Sequence, residues 1–307
     1  MTRATLNADP YLAASTADVT RPHDHLDGPV ARLTSVQREA FMRDGFLVLP
    51  NVLSTEEITR WLTVVERLDR MERTAKQAGT LGFVEVRNAV AKDHELKDLL
   101  THPQFFPLIA DLMGPDIQML TTHSMVRPTA RPGTAADHKP TPWHRDGGSQ
   151  IPPTHGTCPW LYTKVGLFLT DLSQPGRGNL RVVPGSHLRA EFPPKSNPTA
   201  IDPDGTIEML TNSGDAVIFQ QALWHSVGPN VSPIARKNIY LGYSQRWLRP
   251  IDYLQQDPSL LRTCTPIQRQ LLGDYVSECT FYLPLPDDVP LRSWLAAYQS
   301  PSSKPAA

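Results

Sequence analysis

Small, polar and acidic side chains alternate along residues 1 to 32 without a helical or strand period, so an irregular N-terminal arm is expected there. A helical pattern begins at Thr34. That residue can cap a helix carrying Val36, Ala40 and Phe41, with Glu39 in its early turns and Gly45 at its end. Phe46 to Leu49 follows as a short apolar strand stopped by Pro50. Ser54, with Glu56 and Glu57 behind it, starts a second helix whose Ile58, Trp61, Leu62, Val65 and Leu68 share one face. A helical pair is predicted from Ala91 to Met113, broken near His102 and Pro103.

The second half changes period. Short β-rich runs stand at Ile117–Val126, Thr163–Leu172, Leu180–Val183, Ile207–Leu210, Ala216–Gln220 and Asn238–Ser244, separated by Gly, Pro, Asn and Asp. Strands in succession with no helix between them favour a sandwich or barrel over a parallel α/β sheet. No GxGxxG follows a strand and no GxxxxGK[ST] occurs, which removes the main sequence support for dinucleotide or P-loop binding. One mainly β domain with flanking helices is expected over residues 33–300, ahead of a frayed Pro-, Ser- and Ala-rich tail at 301–307.

Composition narrows the function. Of 307 residues 40% are apolar and 20% charged, a globular balance, and 30 prolines are about twice the usual share, in keeping with a turn-rich fold. Thirty Lys and Arg against 31 Asp and Glu leave a formal charge of −1, so no broad field favours nucleic acid. No apolar stretch approaches the roughly 18 residues a bilayer span needs, and Met1 to Val19 lacks the apolar core of a secretory signal. Cys158, Cys264 and Cys279 form no CxxC or disulfide framework, so a reducing, cytoplasmic setting is expected. Neither a nucleic-acid nor a membrane partner is expected.

Candidate chemistry gathers at Pro142-Trp-His-Arg-Asp-Gly147. In an extended strand His144 and Asp146, two apart, face the same side and can reach one metal. His225, after the strand-like run Gly214–Phe219, can supply a third ligand from a distant segment. Two His and one carboxylate on one face of an octahedral ion leave positions open for a cosubstrate and dioxygen, which suits Fe(II). The triplet could equally be a turn with a surface His and a capping Asp; a second copy, His25-Leu-Asp27, lies in the arm and reads as solvated. Arg236 stands eleven residues after His225, and a hairpin through Gly228–Pro233 would return it alongside. An Arg pointing inward needs an anion, which the far carboxylate of a dicarboxylate cosubstrate would provide. A surface or ion-paired strand arginine is the alternative.

These segments resemble the phytanoyl-CoA dioxygenase family of Fe(II)/2-oxoglutarate-dependent oxygenases. The resemblance rests on Phe41–Leu49, His144-x-Asp146, Gly178–His187, Gly214–Phe219, and His225 with Arg236, in the family's order across residues 34 to 250. It implies a double-stranded β-helix (jelly-roll, cupin-like) core with helices against one sheet. His144, Asp146 and His225 would be the iron ligands, and Arg236 would hold the C5 carboxylate of 2-oxoglutarate. Met125, Arg127 and Leu167 fall where relatives contact the cosubstrate. Many relatives carry a hydroxyl two residues after the distal His; here that position is Val227, so Ser226 or another group would have to assist Arg236. His187 reads as a structural turn histidine. Asp146 occupies the position that related halogenases leave to a small residue, so hydroxylation is favoured, with desaturation, epoxidation or ring formation as the alternative outcomes of the same chemistry.

The resemblance further implies O2 as co-oxidant, with succinate and CO2 as coproducts of C–H oxidation in a small organic metabolite. The loop Gly147–Tyr162, with Gln150, His155, Trp160 and Tyr162, follows the ligand pair and can serve as a lid. Gln150, Arg145, Trp160, Trp224, His123 and Arg87-Asn88 are candidates for the substrate side, each with a structural alternative. A non-catalytic barrel that binds a partner, or a cupin-type metalloenzyme without 2-oxoglutarate, are the competing functions. The chain is expected to act as a monomer or homodimer.

Overall fold

The computed structural model describes residues 32–76, 82–129, 140–147, 151–275 and 284–299. The expected arm, its His25-Leu-Asp27 copy, Gln150, Cys279 and the tail from Pro301 lie outside the described residues. The first elements follow the sequence closely. Thr34 accepts from the Gln37 amide and Gln37 returns the bond, opening α1 (Ser35–Asp44); Gly45, at φ 85°, ends it in the left-handed region that favours glycine. Strand β1 (Phe46–Leu49) leads to α2 (Thr55–Ala75), which Ser54 and Glu57 cap reciprocally.

Strand β2 (Val84–Arg87) is a short segment the apolar pattern does not announce. The predicted helical pair is three pieces: α3 (Ala89–Lys92), a 3-10 run over His94–Thr101 and α4 (Phe106–Met113). His102 sits in the break, its ring stacked on Phe105 and its Nε2 2.9 Å from Glu57 Oε1. Then come β3 (Ile117–Arg127), β4 (Tyr162–Phe168), β5 (Leu180–Val182), β6 (Ile207–Glu208), β7 (Ala216–Gln220), β8 (His225–Val227) and β9 (Arg236–Gln245). Three helices follow: α5 (Pro258–Leu261), α6 (Pro266–Leu271) and α7 (Pro290–Gln299). No helix of the described residues is long and apolar enough to cross a membrane.

The strands form two antiparallel sheets, one ordered β1-β7-β4-β9-β3-β2 and one ordered β6-β5-β8. Strand alternation divides the large sheet's side chains between two cores. Leu47, Leu49, Val165, Leu167, Ile218, Ile239 and Leu241 point to the helices, where they meet Trp61, Val65, Leu68, Phe106 and Ile109. Phe46, Phe168, Val217, Phe219 and Tyr240 point the other way, onto Leu180, Val182 and Ile207 of the small sheet. The result is a jelly-roll sandwich with helices on one outer face, as the resemblance implied. The sheets do not close into one barrel.

The expected hairpin between His225 and Arg236 is not formed. Strand β8 belongs to the small sheet and β9 to the large one, so the connection switches sheets. Strand β4 also stops at Phe168 rather than Leu172. Beyond it the chain leaves the large sheet, and Leu172 pairs with Thr211 in an isolated bridge.

Candidate metal centre and adjoining cavity

His144 and His225 meet at the free edge of β8, in the small sheet. Their residues form one isolated antiparallel bridge, with His144 N to His225 O at 3.0 Å and the return bond at 2.9 Å. Asp146 follows in a turn whose amide donates to Gln221 O at 2.9 Å. The same-face reading of His144 and Asp146 thus holds in outcome, but through a bridge and a turn rather than a strand. One donor atom from each of His144, Asp146 and His225 lies within 4.8 Å of the others.

Both rings are oriented by backbone. His144 Nδ1 faces Pro142 O at 2.9 Å and His225 Nδ1 faces Leu223 O at 2.8 Å. A proton on each Nδ1 leaves each Nε2 with its lone pair toward the common centre. His225 Nε2 is 3.8 Å from Asp146 Oδ1, while Asp146 Oδ2 pairs with Lys164 Nζ at 2.7 Å. Burial would raise the Asp146 pKa, but Lys164 and the two histidines hold it at about 2. Burial lowers His225 to about 4 against the pull of Asp146. A neutral imidazole and an ionised carboxylate are the forms a metal ion takes. Two imidazoles and one carboxylate on one side of a point fit Fe(II) with open positions.

A cavity of about 150 Å³ adjoins these groups, lined by His144, His225, Lys164, Tyr240, Thr141 and Arg236 among others. Arg236 is 1% exposed and faces His225 across the cavity from the opposite sheet. Its Nη2 donates to Tyr240 Oη at 3.0 Å and its guanidinium stands over the Phe168 ring. No carboxylate among the described residues pairs with it. Tyr240 fits there because Gly166 lies opposite: a Cβ at 166 would stand 2.5 Å from Tyr240 Cε1.

A model of the phytanoyl-CoA dioxygenase (PhyH) family matches residues 41–238, well over half of the chain. The chain belongs to the phytanoyl-CoA dioxygenase family. Ectoine dioxygenase of Nocardia farcinica is 26% identical over 260 residues, covering 73% of this chain and 82% of that protein. HygX from Streptomyces hygroscopicus, solved with nickel and 2-oxoglutarate bound, shares the fold at a TM-score of 0.58 and 20% identity, over 74% of this chain and 97% of HygX. The epimerase SnoN, solved with Fe3+, alpha ketoglutarate and nogalamycin RO, shares it at 0.55 and 23% identity, over 74% and 90%.

In this phytanoyl-CoA dioxygenase family member the other expected residues divide. Met125 and Arg127 line the cavity with Arg236. Leu167 does not: β4 alternation turns it into the helix-side core and presents Lys164 and Gly166 instead. Ser226 also faces away, because its neighbours His225 and Val227 take the cavity side; its Oγ accepts from Arg181 at 2.8 Å and donates to Thr141 O at 2.7 Å. The hydroxyl beside Arg236 is that of Tyr240. Trp160 packs on Phe41 within the helix-side core, its Nε1 donating to Thr163 Oγ1 at 2.9 Å. Trp224 donates to Glu191 O at 3.1 Å and carries the Arg145 guanidinium over its ring, so those two side chains satisfy each other outside the cavity lining. His123 is buried between Glu85, Arg87 and Thr121 on the same sheet. His187 Nε2 donates to Met42 O, 3.0 Å away, against the end of α1.

Sequence reasoning missed Lys164, Tyr240, Thr141 and Asn238. Asn238 is fully buried, two residues past Arg236, with neither amide atom hydrogen-bonded. Two signals were available: a lone Lys in an otherwise apolar strand run, and a Tyr four residues after Arg236, on the same strand face.

Behind the two histidines lies a polar clip. Arg181 reaches Asp202 at 2.6 Å and Ser226 at 2.8 Å, and Trp143 Nε1 donates to Asp202 at 3.2 Å. Trp143 precedes His144 and Ser226 follows His225, so the clip fastens both donor segments. Arg181→Met should weaken Co(II) binding roughly tenfold, the lower end of the effect of outer partners, as read by calorimetric titration.

Burial also fixes a pH response. His225 at about 4 and His123 at about 3 lie below their unfolded value of 6.5, His123 through burial and then Lys164 and Arg87. Asp146 at about 2 lies below 3.8. In each case the unfolded chain binds the proton first, so stability is full above the unfolded value and falls with acidification. Thermal midpoints of the metal-free protein should drop from pH 6.5 to 4, each histidine contributing up to about 1.4 kcal/mol per pH unit. A flat profile there would contradict buried neutral imidazoles.

Proposed function

We propose that this protein is an Fe(II)- and 2-oxoglutarate-dependent dioxygenase that hydroxylates a C–H bond of a small organic metabolite. The observation that carries the reading is a pair of features on one cavity: the converging His144, Asp146 and His225 donors, and a buried Arg236 without a carboxylate partner. A buried guanidinium with no anion is costly to keep, so a ligand carboxylate is its natural complement. The iron, when bound, supplies the oxidation by O2 that converts 2-oxoglutarate to succinate and CO2 while the substrate C–H is oxidised.

The chain's own groups do the rest. His144, Asp146 and His225 hold the metal, with both Nδ1 protons engaged on backbone carbonyls. Arg236 binds the distal carboxylate with its planar fork, and Tyr240, accepting from Arg236, keeps its own proton to donate to that carboxylate. Phe83, Met125, Leu180, Phe219 and Val227 exclude water around the cosubstrate. His144, the exposed member of the donor set, marks the side from which substrate approaches.

Ectoine dioxygenase and SnoN act among small organic molecules by their names, which supports a metabolite substrate. SnoN is an epimerase solved with Fe3+ and alpha ketoglutarate, so the shared fold is compatible with outcomes other than hydroxylation; Asp146 speaks against halogenation. A binding module would need neither the donor set nor Arg236, and a metalloenzyme without 2-oxoglutarate would not need Arg236. Adding Fe(II) and 2-oxoglutarate without air should give a visible charge-transfer band, and admitting air should yield succinate. Absence of both with folded protein sinks the reading; the product of a substrate that stimulates succinate release decides between hydroxylation and epimerisation.

A further inference from the structure

Lys164 is the one cation in direct contact with the proposed metal donors among the described residues. It reaches them from β4, in the sheet opposite His225. Its side chain is 12% exposed, as is that of Asp146, and its ammonium lies 5.7 Å above the centre of the Tyr240 ring. Its cross-strand neighbours are Gly242 and Phe219, which offer it no anion. The Asp146 carboxylate is its partner, and only one oxygen is used: Oδ2 faces Lys164 at 2.7 Å, whereas Oδ1 faces His225 Nε2 at 3.8 Å.

A free carboxylate beside a divalent ion can bind through one oxygen or both. Binding through both would take one of the three positions over which 2-oxoglutarate and O2 must be distributed, so cosubstrate binding would have to compete with the second oxygen. We propose that Lys164 is a positioning residue that restrains Asp146 to one-oxygen ligation and thereby keeps a coordination position for 2-oxoglutarate. This rests on the function proposed above, and it assigns Lys164 a role that acts through Asp146. The backbone contributes as well, since the Asp146 amide bonded to Gln221 O fixes the root of the side chain and leaves the carboxylate rotation to Lys164.

The role has a signature that structural support lacks, because metal and cosubstrate affinities should move in opposite directions. In Lys164→Met, Oδ2 is released and a neighbouring cation is removed. Calorimetric titration of Co(II) should show binding a few-fold tighter than wild type. Titration of 2-oxoglutarate into the Co(II)-loaded protein should show binding roughly tenfold weaker. Lys164→Arg, which keeps a cation within reach of Oδ2, should recover most of the cosubstrate affinity. If Met at 164 impairs folding, Lys164→Gln, too short to hold Oδ2, carries the same pair of expectations.

Parallel loss of both affinities would make Lys164 a merely structural group and overturn the proposal. Loss of 2-oxoglutarate affinity at unchanged Co(II) affinity would overturn it in favour of direct contact with the cosubstrate, and unchanged 2-oxoglutarate affinity would overturn it outright. The wild-type titrations separate this from the broader reading: wild type that takes Co(II) but no 2-oxoglutarate defeats both, whereas normal wild-type binding with a silent variant defeats only the role of Lys164.

Discussion

His144→Ala should lower divalent-metal affinity by more than the roughly 100-fold that loss of an outer partner costs, because it deletes a donor outright. The charge-transfer band and succinate formation should vanish with it. The fold should survive, since His144 is exposed and its backbone bridge to His225 does not involve the ring. His25→Ala, in the other His-x-Asp pair, should leave metal binding unchanged. Calorimetry with Co(II) reads both variants. Equal affinities in wild type and His144→Ala would mean that the metal, if any, sits elsewhere.

Arg236→Met should raise the dissociation constant of 2-oxoglutarate by about 100-fold, the effect of removing one side of a buried charge-assisted pair worth roughly 3 kcal/mol. Metal affinity should hardly change, because Arg236 is not one of the converging donors. Thermal stability of the ligand-free protein should rise, since the variant replaces a buried guanidinium without a carboxylate partner by an apolar side chain of similar volume. Arg236→Lys should rescue little, as a point charge lacks the two-pronged fork. A variant that loses stability and keeps cosubstrate affinity would refute the assignment of Arg236.

Local features were legible in the sequence. The caps at Thr34 and Ser54, the glycine stop at Gly45 and the apolar runs of the central strands depend on neighbours within one turn or one strand. His144 and Asp146 were visible for the same reason. What sequence could not supply was register between distant strands. Leu167 and Lys164 belong to one strand, and only its pairing with β7 and β9 decides which face meets the cavity. Ser226 was misplaced by a single residue of alternation. The hairpin between His225 and Arg236 was the plausible local solution, and the chain instead changes sheets because β8 finds its partner in β5. Strand β2 went unseen because Glu85 and Arg87, on an edge of the sheet, carry charge where an apolar pattern would announce a strand.

The seam between the two sheets has a mechanical consequence. His225 stands on one leaf, Arg236 and Lys164 on the other, so a metal ion and a diacid seated between them would act as rivets through both. Occupancy should then add resistance to unfolding that grows as the logarithm of ligand concentration. Amide hydrogens of β8 and β9 should exchange more slowly in the loaded protein than in the stripped one.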